Sequence, residues 1–174
     1  MKKYLLAMCA LSSIGVAHAH IDDYLPEAKL AESTASLKSG YVGAGISQQL
    51  LHSNFEWVNP YGIAYVKAGV FINDDHEPGA QIGFRLPYHL TGTDLNGYYF
   101  GVYAGHLESV IVDQEEYSRL GAGVDLAYVI LDASRISTIS VGIGAAEKIE
   151  GKNGSERKTE PQLQFAYSLS FGAF

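Results

Sequence analysis

Three groups of residues have types and spacings that could do chemistry. His52, Ser53 and Asn54 are consecutive. A histidine beside a serine is the minimal kit of a hydrolase, a base to take a proton and a hydroxyl to attack. Asp74, Asp75, His76 and Glu77 crowd one segment. Their oxygens suit a hard cation, which makes Asp74, Asp75 and Glu77 a candidate cation-binding loop. Glu115-Glu116 and His20 with Asp22 and Asp23 are lesser acidic clusters. Finally, Glu56, Lys67, Arg85, Arg119 and Asp125 are single charges set among apolar and small residues.

Each group has a plainer reading. Neighbouring residues on an extended segment point to opposite faces, so His52 and Ser53 are badly placed as base and nucleophile. An acidic run in a loop is ordinarily a solvated run. The sequence has no Gly-rich phosphate loop and no paired-cysteine metal motif, and Cys9 is its only cysteine. No catalytic residue, cofactor or bound metal is therefore expected. The five isolated charges must pair or be hydrated if buried. They are expected to form an ion-pair network that fills and pins an interior, with Gln81 and Gln164 beside them.

The elements that position these residues are strands. From 117 to 131 the apolar residues Leu120, Ala122, Val124, Leu126, Tyr128 and Ile130 share one parity, and Arg119, Gly121, Gly123, Asp125 and Ala127 share the other. Such a period of two predicts a two-faced strand. After the turn over 131–135, Ile139, Val141 and Ile143 alternate with Ser140, Gly142 and Gly144. A solvated sheet face would carry many Lys, Glu and Thr. A face of Gly, Ala and Ser instead suits the crowded inside of a narrow barrel whose apolar side meets lipid. Further strands are predicted over 39–48, 51–58, 63–72, 80–88, 98–107 and 162–171. In the strand over 98–107 aromatic residues occupy both parities, which leaves its faces unassigned. Pro87 marks a rim or ends pairing. The segment 108–116 is expected to contain an acidic loop, although Val110 to Val112 could extend the strand. The segment 148–160 is the longest polar loop.

Composition bounds the rest. The 174 residues suit one domain, with 19 glycines and 12 tyrosines, as expected of a β-protein with aromatic girdles. Lys2 and Lys3 precede an apolar run from Tyr4 to Val16, and Ala17-His18-Ala19 offers a cleavage site. Residues 1–19 are thus expected to be a signal peptide cut after Ala19. Residues 20–37 would follow as a periplasmic lead-in, short helix or plug, and 38–174 as the barrel. The net charge of −7 becomes −9 once Lys2 and Lys3 are removed, which argues against nucleic acid as a partner.

The chain finishes in Phe174 after the alternating strand over 162–171. This resembles the carboxy-terminal assembly signal of small bacterial outer-membrane β-barrel proteins, and the resemblance implies the barrel-assembly machinery as a partner. Phe171 and Phe174 are three apart, so sharing a face would need a bulge or a frayed end. Gly45-Ile-Ser-Gln48, Phe55-Glu-Trp57 and Pro60-Tyr-Gly-Ile-Ala-Tyr-Val-Lys-Ala-Gly69 resemble the opening of the TorF-like putative porin family. That resemblance covers about thirty residues and implies an outer-membrane barrel with no catalytic residues to carry over. His52-Ser53 is similar to the His/Ser pairs of lipid-A deacylase and palmitoyl-transfer barrels, but the deacylases' His-x-Ser-Asn spacing is absent.

The expected fold is all-β, an antiparallel up-and-down transmembrane β-barrel of eight strands in the outer membrane. The expected role is structural or surface interaction through acidic extracellular loops, with outer-membrane lipid as a partner and the extracellular ligand unassigned. The alternatives are a narrow porin for small polar solutes, a lipid-modifying enzyme, and a soluble periplasmic barrel binding an apolar ligand. The last would require the Val/Leu/Ile face to point inward.

Overall fold

The period-two patterning builds strands throughout the computed structural model, which describes residues 28–30, 37–72, 76–91, 95–113, 115–150, 154 and 156–174. The expectations for residues 1–19, for most of 20–37, and for Asp74 and Asp75 lie outside the described residues. The strands are β1 (Gly40–Ser47), β2 (Leu50–Asn59), β3 (Gly62–Phe71), β4 (Pro78–Leu90), β5 (Gly97–Val112), β6 (Glu115–Leu131), β7 (Arg135–Ala146), β8 (Ile149–Glu150), β9 (Glu156–Arg157) and β10 (Pro161–Gly172). Eight of them close an antiparallel barrel in the order β1-β10-β7-β6-β5-β4-β3-β2, while β8 and β9 form a separate two-stranded ribbon. Closure is made by β1 and β10, in register from Tyr41 opposite Gly172 to Ser47 opposite Ala166.

Each chain neighbour is a ladder neighbour, so the barrel has two distinct ends. The start of β1, the end of β10 and the β2–β3, β4–β5 and β6–β7 connections occupy one end, called the terminal end below. The β1–β2, β3–β4 and β5–β6 turns and the β7–β10 connection, with its β8–β9 ribbon, occupy the loop end. Gln48 takes a positive φ of 52° and reverses β1 into β2 within two residues, a connection as short as the predicted strand ends leave. One turn is tighter than the sequence suggested. The expected acidic loop over 108–116 is instead strand on both sides: Val112 pairs with Glu115 and Ile111 with Glu116. The β-branched and apolar run Val110-Ile-Val112 carries the ladder to the tip.

The two faces of the wall are sorted by chemistry. Outward go the aliphatic and aromatic residues, with Ile82 63% and Ile139 64% exposed. Inward go Asn54, Glu56, Lys67, Arg85, Asp125, Ser140 and Ser170, all buried. The apolar parity thus faces out and the polar parity faces in. β5 resolves the ambiguity of its aromatics by placing Tyr99 and Tyr103 inside and Tyr98 and Phe100 outside.

Inward glycines are seats for large side chains rather than spare room. A Cβ at Gly83 would strike the Tyr65 ring, one at Gly123 the Tyr103 hydroxyl, and one at Gly101 the Asp125 carboxylate. The small-residue face thus lets a narrow barrel hold tyrosines and charges together. At the terminal end the lumen is sealed by an apolar cluster that includes Leu30, Tyr41, Ile63, Tyr99, Val129 and Ile136. Leu30 is anchored there by its backbone N–H, which donates to the Pro60 carbonyl at 3.1 Å. The last residues depart from the strand as their spacing demanded. β10 ends at Gly172, and Phe174 then stacks on Phe55 with ring centroids 6.0 Å apart.

Candidate functional site in the barrel lumen

Above the apolar seal, the lumen holds a belt of polar side chains contributed by most of the wall. Arg85 on β4 reaches Asp125 on β6, with Nη2 and Oδ2 3.2 Å apart and the two side chains 2% and 7% exposed. The Tyr65 ring centroid on β3 lies 4.4 Å from Arg85 Cζ and 5.0 Å from Lys67 Nζ. Both distances are within cation–π range. Glu56 on β2 accepts from Ser170 Oγ at 2.7 Å and from Asn54 Nδ2 at 2.6 Å. Asn54 Nδ2 also donates to Ser170 Oγ at 2.7 Å. That cluster ties β2 to β10 across the closure made by β1.

Of the five charges singled out in the sequence, Glu56, Lys67, Arg85 and Asp125 share this belt. Arg119 is also buried, but it stands at the loop end with other partners. It forms an ion pair with Glu108. Its Nε donates to the Glu147 carbonyl at 2.8 Å and its Nη2 to the Lys158 carbonyl at 3.0 Å. Sequence parity could not find Glu108. The β5–β6 register slips between His106 and Glu108, so His106 faces Leu120 while Glu108 faces Arg119. One extra residue, Leu107, therefore re-aims Glu108 inward. Gln81 and Gln164 lie inside, as their parity required.

His52 finds a serine, but not its neighbour. Ser53 points outward, and His52 Nε2 lies 3.1 Å from Ser47 Oγ on β1. Lys67 Nζ donates to the same hydroxyl at 2.8 Å. An ammonium can only donate, so the Ser47 hydroxyl hydrogen is free to turn toward His52. The spacing is that of a base and a nucleophile. The adjoining cavity, lined by Ser47, Lys67, Tyr103, Asp125 and Gln164 among others, has a volume of about 20 Å³. That is room for a water molecule and not for an acyl group. Tyr103 OH, Asp125 Oδ1 and Gln164 Nε2 are buried there without a protein partner, and a water would satisfy them.

In the candidate cation loop, Glu77 is half-buried and its carbonyl accepts from Phe71 N at 2.9 Å. Among the described residues no group of three or more His, Cys, Asp or Glu is placed to hold a metal ion.

Fold and lumen together define a class: a closed, up-and-down, eight-stranded antiparallel barrel with a filled polar interior and an apolar exterior. No family model matches the chain, and no curated protein or solved structure is significantly similar to it.

Proposed function

We propose that this chain is an outer-membrane β-barrel, exported by a signal peptide cut after Ala19. On this reading its occluded lumen is a structural brace, and its work is surface interaction through the loop end. One observation carries the membrane reading: between the rims, no described outward position on the eight barrel strands is Asp, Glu, Lys or Arg. A charge there would cost about 2–4 kcal/mol at the bilayer midplane. A water-soluble barrel would gain from such charges. The outward apolar run from Leu120 to Ile130 on β6 spans about 33 Å along the strand. At a tilt near 40° it covers roughly 25 Å of height, the thickness of a barrel's apolar band. Trp57, Tyr61, Tyr88, Tyr98 and Tyr128 are exposed near the terminal end, where an aromatic girdle belongs at a membrane interface.

With the termini in the periplasm, the Glu77 turn, the β5–β6 tip and the β8–β9 ribbon face the outside. A barrel of the TorF-like kind, delivered by the assembly machinery through the carboxy-terminal segment that ends in Phe174, fits this arrangement. The narrow-porin reading is weakened by the apolar seal and by the size of the lumen cavity. Cell fractionation with heat-modifiable gel migration tests the membrane reading, and extraction without detergent would overturn it. Protease shaving of intact cells should cut at Lys152 and Lys158, and protection of both would reverse the assigned orientation. Planar-bilayer recordings should show no steady conductance.

A further inference from the structure

We propose that the outer groove on β4 and β5 at the terminal end binds a phospholipid, its phosphate held by Lys29 and one acyl chain laid along the two strands. This rests on the membrane reading above. Between Pro87 and His89 the β4–β5 ladder slips and leaves Tyr88 without a partner across it; Tyr88, on the outward parity of Ile82, Phe84 and Leu86, is 70% exposed. A concavity of about 470 Å³ lies there, lined by Lys29, Tyr61 and Tyr88 and by Leu86, Phe100 and Leu126. A second hollow of about 600 Å³ lies farther along the same strands, lined by Phe84, Val102, Ile82, Ala64 and Ala104 among others. From Tyr88 to Ile82 is about 20 Å along the strand, or roughly 15 Å of depth at a tilt near 40°. That depth is one leaflet of a hydrocarbon core about 30 Å thick.

The head of the groove has the complementary charge. Among the described residues Lys29 Nζ donates one hydrogen bond, to the Tyr88 carbonyl at 3.1 Å. An ammonium has three donors and can offer others to phosphate oxygens, and Tyr61 and Tyr88 line the same concavity. The chain as a whole is acidic, at −7. The described part of the terminal end nevertheless carries Lys29, Lys38 and Arg135 against Asp132. The site therefore combines an apolar trough with a cationic head at the level of the girdle, which is the chemistry of an anionic phospholipid.

Trp57 is the only tryptophan. It sits opposite Ala64, which sits opposite Phe84, about 10 Å from the groove at two strand spacings. The full chain, reconstituted in phosphatidylcholine vesicles, would be titrated with dibrominated phosphatidylglycerol or dibrominated phosphatidylcholine at matched low mole fraction. Trp57 should be quenched with about fivefold greater apparent affinity by the anionic lipid, which corresponds to about 1 kcal/mol. Lys29→Ala should abolish the preference, Lys29→Arg should keep it, and Ala104→Leu should weaken it by filling the second hollow. Equal quenching by the two lipids, or a preference that survives Lys29→Ala, would overturn the proposal while leaving the membrane reading intact. Absence of quenching by either lipid would overturn the membrane reading itself. Shielding of Trp57 that grows with the protein-to-lipid ratio would assign the groove to a second copy and overturn the lipid site.

Discussion

Removing Asp125 should be among the most damaging single changes in the barrel. Its carboxylate lies 3.2 Å from Arg85, and both side chains are almost wholly withdrawn from solvent. At an effective dielectric near 20, the gross attraction at that distance is about 5 kcal/mol. The net worth of the intact pair is smaller, because both ions gave up hydration. Asp125→Ala leaves Arg85 buried beside the Tyr65 ring with its ion-pair partner gone. Breaking such a pair costs about 3–5 kcal/mol. With a urea slope near 2–3 kcal/mol/M, the unfolding midpoint should fall by about 1–2.5 M. The measurement is reversible urea unfolding of refolded protein, followed by Trp57 fluorescence and by the fraction migrating as the folded form on unheated gels. Arg85→Met combined with Asp125→Ala should recover much of the loss, since it removes the stranded charge. An unchanged midpoint for Asp125→Ala, or a double variant that loses the sum of the two single losses, would refute the idea that this pair pins the lumen.

Three other outcomes follow from the same geometry. Gly83→Val should destabilise by about 1–3 kcal/mol, because the new side chain and the Tyr65 ring claim one volume; adding Tyr65→Ala should relieve part of it, read by the same urea titration. Glu108→Ala should free Arg119 and loosen the β7–β10 connection it clamps through the Glu147 and Lys158 carbonyls, so cleavage at Lys158 should quicken while the folded gel band persists. The third concerns acid. In the β6–β7 turn, Asp132 accepts hydrogen bonds from Ser134 N, Ser134 Oγ and Arg135 N. The Ser134 bonds chiefly, and then Arg135, hold its carboxyl below its ordinary value of 3.8. A depressed carboxylate stabilises the fold above its ordinary value and stops doing so as pH falls through the lower, folded one. Urea midpoints taken from pH 6 down to pH 3 should therefore fall less steeply for Asp132→Asn than for the parent chain.

The sense of the wall was legible because parity is insensitive to exact ends. Leu120 through Ile130 share a face wherever the strand begins, and so do Leu163 through Phe171. Eight strands and the inward course of Lys67, Arg85 and Asp125 followed from that alone. What could not be read depends on register between strands. Leu107 is one more apolar residue in the sequence, and only its mispairing against β6 turns Glu108 toward Arg119. Likewise Ser47 meets His52 across the tight β1–β2 turn, a contact that no spacing rule along one strand contains. Tyr99 and Tyr103 were ambiguous because both faces of β5 accept aromatics, the inner one for packing over glycines and the outer one exposed at Tyr98 and Phe100.

The β5–β6 hairpin outruns its neighbours. β4 leaves the ladder at Gly105 and β7 at Gly121, while the two strands continue together to Val112 and Glu115. The last six or so residues of each arm thus rise as a mast of about 20 Å, at roughly 3.3 Å per residue, guyed at its foot by Arg119. Amide protons along the mast can trade with solvent through short-lived separations that never open the wall beneath it. A foreign peptide spliced in after Asp113 would accordingly be lifted clear of the surface while the staves below keep their seal.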